Sequence, residues 1–180
     1  ALPITAMLLL AALLRFWGVR WGLPNAQHGY SYHPDEFLTV GAAGMILAGF
    51  FPRFYNYPSL YLYLIAGSIL FASVYGLAED TAALYLSARV VAALMGTAAV
   101  AAVYWAARKG MGTTAAALIA ALILSIAPLH VQHSHFATVD VPSTLFVALT
   151  LGFALLVYYR GSWRDYLACG AMAGLAAGTK

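Results

Sequence analysis

A few polar residues stand out in this chain for their type and their place. His33-Pro34-Asp35-Glu36 carries two adjacent carboxylates, and Asp140 closes the run Ser134-His135-Phe136-Ala137-Thr138-Val139-Asp140. Only six carboxylates occur among 180 residues, of which 63% are hydrophobic. Acids held at the edge of so apolar a body point to a task. Asp35 and Glu36 suit a general base or a metal ligand. The plainer reading is a helix start, because Pro34 fits the first helical position and the helix dipole favours acids in the first turn. His33 is placed to hydrogen-bond Asp35 or to act as a ligand. Asp140 suits an N-cap, and a cap can still face a site. Arg89 lies about two turns inside an apolar run, where a cation must be paired or hydrated. Its plain reading is an ion pair with Glu79, Asp80 or an acid beyond the sequence; its functional reading, shared with Lys180, is contact with a phosphate. His130, His133 and His135 suggest a metal cluster, but on a helix only the first two share a face.

The elements that must position these residues follow from composition. Charged residues are 8% of the chain, against roughly 25% in a soluble domain, and mean hydropathy is +0.83. The apolar runs are long and continuous rather than alternating, so they are helices of an integral membrane protein and not barrel strands. There is no basic run for nucleic acid, no phosphate-binding glycine loop and no soluble nucleotide domain. An activated group, if one is transferred, would then come from a donor in the bilayer. Cys169 is the single cysteine, which excludes an internal disulfide.

The pattern predicts helices over 1–17, 34–50, 58–77, 82–107, 113–129, 141–159 and 165–179. The segment 58–77 decides the topology. If it spans, Asp35 and Asp140 fall on opposite sides of the membrane. If it lies in the interface, as Tyr55, Tyr57, Tyr61 and Tyr63 suit, then Arg108, Lys109, Arg160 and Arg164 share one side and both acid-bearing loops share the other. The 130–140 loop has no Lys or Arg, which favours the second arrangement, although Arg15, Arg20 and Arg53 in the first loop weigh against it. The expected fold is all-α: a polytopic membrane helix bundle of about five spans, with juxtamembrane helices in the first outer loop. Gly170, Gly174 and Gly178, at four-residue spacing, predict a close helix–helix contact. The chain starts without Met and stops at Lys180 after an apolar run, so it is expected to be the amino-terminal part, 1–180, of a longer single domain.

In this order the motifs resemble the GT-C superfamily of membrane glycosyltransferases, and within it the group of protein O-mannosyltransferases and lipid A aminoarabinose transferases. The matching stretches are Leu14-Arg15-Phe16-Trp17-Gly18, His33-Pro34-Asp35-Glu36, Tyr57-Pro58-Ser59-Leu60-Tyr61, Ala88-Arg89-Val90, His133-Ser134-His135-Phe136 through Asp140, and Gly178-Thr179-Lys180. The resemblance implies catalysis by Asp35, with Glu36 beside it and Asp140 as a second acid. It implies donor-phosphate contacts from Arg89 and Lys180, with His33, His135 and Tyr57 in support. It implies a polyprenyl- or dolichyl-phosphate sugar as donor, an acceptor hydroxyl on a protein, lipid or glycan, an inverting reaction, and a site on the extracytoplasmic side of a multi-pass protein of the cell membrane. A divalent metal would take Asp35, Asp140 and His135. Asn56 stands where some relatives place an acidic metal ligand, which puts that metal in question. Two other readings compete: a non-catalytic subunit that keeps the fold, and a transporter segment using Arg89 and Asp140 as a charge relay. The second predicts inverted repeats, and none is evident.

Overall fold

A computed structural model of the chain describes residues 2–52 and 54–180; Ala1 and Arg53 lie outside the described residues. These form eight helices and no strand: α1 (Leu2–Phe16), α2 (Pro34–Leu47), α3 (Leu60–Val74), α4 (Thr81–Met111), α5 (Thr114–Ile126), α6 (Pro128–His133), α7 (Asp140–Arg160) and α8 (Trp163–Ala177). The chain is a membrane helix bundle. By length and composition α4 and α7 can each cross a bilayer, and α1, α3 and α5 are shorter apolar helices.

Contacts between side chains fix the directions of the helices. Ala11 of α1 packs with Val100 of α4 and Ala121 of α5, and Arg15 lies against Gly96. Helix α1 therefore runs antiparallel to α4. Trp105 covers Gly152, and Leu155 reaches Gly110, so α7 runs parallel to α4. A Cβ at Gly152 would stand 2.0 Å from the Trp105 ring, so that crossing requires glycine. Helix α8 returns beside α7, with the Cys169 thiol at the Thr150 carbonyl and Lys180 at Asp140. One end of the bundle thus gathers Arg108, Lys109, Arg160 and Arg164. The other gathers the 19–36 loop, the 134–140 segment and Lys180.

The long helix begins with Asp80 accepting the Ala83 N–H at 2.7 Å and ends at Gly112, whose φ of +71° suits the left-handed cap. At 1.5 Å per residue, α4 is about 46 Å long and α7 about 31 Å. The pairings 105 with 152 and 110 with 155 set Asp140 beside about residue 94, so roughly the first 20 Å of α4 extend past the start of α7. Helices α2 and α3 pack on that overhang. Val40, Ala43, Tyr61, Ile65, Tyr85 and Ala88 form its core with Ala137 and Val139. Helix α3 packs on α2 and α4, and the Leu60 N–H donates to the Gly178 carbonyl at 3.0 Å.

The expected helices are present, and Pro128 separates α5 from α6, a short helix that runs into the stretch expected as the 130–140 loop. The glycine expectation fails in part: nothing within the described residues lies within 4 Å of a Cβ built at Gly170 or Gly174, and only Gly178 approaches Leu60.

Candidate active site

Asp35 and Glu36 are neighbours in the first turn of α2, but the helix turns them in different directions. Glu36 is fully buried against a fully buried Arg89. Arg89 Nε donates to Glu36 Oε1 and Nη2 to Oε2, each at 2.7 Å. Its Nη1 donates to the carbonyls of Val19 (2.9 Å) and Trp21 (2.7 Å), and Nη2 also donates to Ser31 Oγ (3.2 Å). All five guanidinium hydrogens therefore have acceptors. The Glu36 carboxylate also accepts the Ser31 hydroxyl and, at 2.9 Å, the Ala137 N–H. Thr39 donates to the Ala137 carbonyl at 2.7 Å, so that peptide unit is held on both sides.

This corrects two expectations. Arg89 has no hydrogen left for a phosphate, and Glu36 has no face toward a substrate. They form a clamp that joins the first loop, α2, α4 and the 134–139 segment. The partner of Arg89 is neither Glu79 nor Asp80 but an acid 53 positions away.

The clamp leaves Asp35 and Asp140 at the surface of the same end. Asp140 is not an N-cap: the cap position of α7 is Val139, and Asp140 is the first helical residue. Its Oδ1 accepts a bond from Lys180 Nζ at 2.5 Å, and its Oδ2 lies 3.5 Å from His133 Nδ1. Donation to Asp140 raises the Lys180 ammonium above its ordinary pKa; slight burial opposes this, and the negative potentials of Asp140, Tyr57 and Asp35 add to it. Lys180 thus stays protonated through neutral pH. Of the four expected residues, Lys180 and Asp140 are in direct contact, and Asp35 and Tyr57 lie within electrostatic range of the ammonium. The bond from Leu60 to Gly178 contributes by tying the Tyr57-Pro58 turn to the end of α8.

The supporting histidines divide. The His33 ring lies 5.0 Å from Phe136 and 5.9 Å from His133, centroid to centroid, and has no hydrogen bond to Asp35. Both nitrogens of His135 face main-chain oxygens, Nδ1 that of Val131 (2.8 Å) and Nε2 that of Trp17 (2.7 Å). His135 therefore pins the end of α1 to α6 and is not placed as a metal ligand, which corrects that expectation. Among the described residues no three His, Cys, Asp or Glu side chains converge to hold a metal ion.

A second buried cation was not legible as such. Arg15 is fully buried and not part of the outer loop. Pro128 has no N–H to give the Leu124 carbonyl, which would otherwise accept it one turn back. Arg15 Nη2 fills the break at 3.1 Å, and Nη1 donates to the Ser125 carbonyl at 3.2 Å. Nη2 also meets His130 Nδ1 at 2.9 Å. Gly96 makes the room, since a Cβ there would stand 3.0 Å from Arg15 Nε and 2.5 Å from Ser134 Oγ. The proline was the available signal, because a helix broken by proline needs a donor from elsewhere.

Burial, followed by the positive charges of Arg15 and His133, lowers His130 from 6.5 to about 4. The folded protein therefore keeps His130 neutral while the unfolded chain takes up a proton, and this contribution to stability is lost as pH falls from about 6.5 toward 4. The unfolding midpoint of the wild type should drop more steeply between pH 7 and pH 5 than that of His130→Asn, which has no proton to gain. Parallel slopes would refute the assignment.

The sequence profile of the dolichyl-phosphate-mannose-protein mannosyltransferase family matches residues 70–180. That is more than half of the chain, and the chain belongs to this family: it is a membrane glycosyltransferase of the mannosyltransferase type. Comparison with curated proteins and with solved structures gave no match.

Proposed function

We propose that this chain forms the catalytic face of an enzyme that moves mannose from a polyprenyl- or dolichyl-phosphate carrier to a protein hydroxyl on the extracytoplasmic side. The observation that carries the reading is the Lys180–Asp140 ion pair at the end of the bundle opposite its arginines, with Asp35 and Tyr57 within electrostatic range of the ammonium. The family supports the donor and acceptor classes.

In this reading Asp35 accepts the proton of the acceptor hydroxyl. The hydroxyl oxygen forms a bond to the anomeric carbon as the carbon–oxygen bond to phosphate breaks. The electron pair of that bond leaves with the phosphate, so the product lipid carries one more negative charge. Attack on the face opposite the leaving group inverts the anomeric centre. Positive charge grows on the sugar meanwhile, as in other oxocarbenium-like glycosyl chemistry. Lys180 has one hydrogen on Asp140 and two free for the phosphate, and stabilises its charge. Asp140 holds that ammonium in place. The clamp of Glu36 and Arg89 sets the spacing between the Asp35 and Asp140 segments.

The side follows from charge. The four cations Arg108, Lys109, Arg160 and Arg164 belong inside by the positive-inside rule, and the burial of Arg15 removes one of the outer cations that argued against it. Helices α1, α4, α5, α7 and α8 would cross the membrane, and α2 and α3 would sit on the outer overhang of α4. With Cys169 replaced by serine, single cysteines at the exposed positions Gln27 and Gln132 should react with an impermeant maleimide from outside, and one at Lys109 only from inside. Reaction of Gln27→Cys and Gln132→Cys from opposite sides would overturn this topology.

A further inference from the structure

A cleft of about 330 Å³ opens between α6 and the start of α7, lined by Leu129, His130, His133, Asp140, Val141 and Thr144. Its size is within the range of small-ligand sites, and its polar groups are incompletely bonded. Arg15 Nη2 can only donate, so the His130 Nδ1 facing it at 2.9 Å is the acceptor. The proton of the neutral ring is then on Nε2, and that buried N–H has no partner. His133 Nδ1 is also buried without a hydrogen bond, its 3.5 Å approach to Asp140 Oδ2 being too poor to count as one. Thr144 gives its hydroxyl hydrogen to the Asp140 carbonyl at 2.9 Å, which leaves its oxygen free to accept. Lys180 occupies Asp140 Oδ1, and Oδ2 is on the His133 side.

We infer that this cleft is the subsite for the glycosyl ring of the donor, with His130, His133, Asp140 and Thr144 reading its hydroxyl groups. The inference rests on the proposed function and names where its sugar is held. The chemistry of the lining selects the occupant. One imidazole is fixed as a donor, a carboxylate and a hydroxyl oxygen accept, and the second imidazole can do either. Hydroxyl groups donate and accept at once and satisfy such a set. A phosphate accepts only, and the Asp140 carboxylate would repel it. Leu129 and Val141 give the apolar surface that the C–H face of a pyranose needs. The position agrees as well, because Asp140 contacts Lys180 with one oxygen and faces the cleft with the other. A phosphate on Lys180 would place the attached sugar beside the cleft.

The test compares two lipids on the full-length protein in detergent: a short-chain polyprenyl-phosphate mannose and the same polyprenyl phosphate without sugar. His130→Asn keeps an acceptor for Arg15, since the asparagine amide reaches about as far as Nδ1, but it lacks the Nε2–H. Thr144→Val removes the accepting oxygen at nearly constant shape and provides a second probe if the first variant folds poorly. Each should weaken binding of the mannosyl lipid about 3- to 10-fold, the usual range for one lost hydrogen bond, and leave the bare lipid within about twofold. Equal losses for both lipids, or no loss for either, would overturn the subsite while leaving the enzyme reading in place. Wild type that binds neither lipid would overturn both.

Discussion

Asp35→Asn is expected to fold and unfold like the wild type and to lose sugar transfer by about 10² to 10⁴-fold, the usual contribution of a general base. Asparagine has nearly the shape of aspartate but cannot accept the proton that the acceptor hydroxyl must release. No hydrogen bond holds the Asp35 side chain, which is partly exposed in the first turn of α2. Little of the fold therefore depends on its charge. The checks are transfer from a polyprenyl-phosphate mannose and an unfolding midpoint measured on the same preparation. A folded Asp35→Asn variant with full activity would remove Asp35 as the base.

The neighbouring substitution should do the opposite kind of damage. Glu36→Gln replaces one carboxylate oxygen with an NH₂ group in a place where every neighbour is already a donor: Arg89 Nε and Nη2, the Ser31 hydroxyl and the Ala137 N–H. The Arg89 charge is then buried without compensation. Removing one member of a buried pair costs about 3 to 5 kcal/mol, a large share of a total stability of about 5 to 15 kcal/mol. The unfolding midpoint should fall by on the order of 10 °C, and any transfer lost should follow the fraction unfolded. For stability Glu36 is therefore the more damaging of the two acids to change. A Glu36→Gln variant of wild-type midpoint that lacks only activity would show Glu36 to be catalytic and the clamp account wrong.

These two residues also show what was legible in the sequence. The helices were, because each apolar run is long and bounded by proline, glycine or a cap, such as Pro34, Asp80, Gly112 and Gly161. The grouping of Asp35, Asp140, Lys180 and Tyr57 followed from a resemblance that covers most of the chain; the structure adds the direct contact of Lys180 with Asp140. The pairing of Arg89 was not legible. Its composition rule, that a buried cation needs an acid, named the requirement but not the partner, because Glu79 and Asp80 are near in sequence while Glu36 is near only in the fold. The same long-range geometry hid the burial of Arg15, which by sequence counts among the cations of the first loop although it lies within the expected 1–17 helix. Glycine spacing misled in a different way. The regular 170-174-178 stripe is mostly open, whereas the isolated Gly96 and Gly152 are the ones that let Arg15 and Trp105 approach. A close contact depends on what stands opposite, which the stripe does not contain.

The most direct test of the central claim is the fate of the donor itself. The full-length wild-type protein is incubated with polyprenyl-phosphate mannose labelled in the sugar, with a serine- or threonine-containing acceptor protein present. The account predicts that label moves to the acceptor while free polyprenyl phosphate accumulates in equal amount, and that Lys180→Ala slows both together. A folded wild type that binds the donor lipid but neither releases polyprenyl phosphate nor labels any acceptor would contradict it, and would identify the chain as a member of the family that keeps the fold without the reaction.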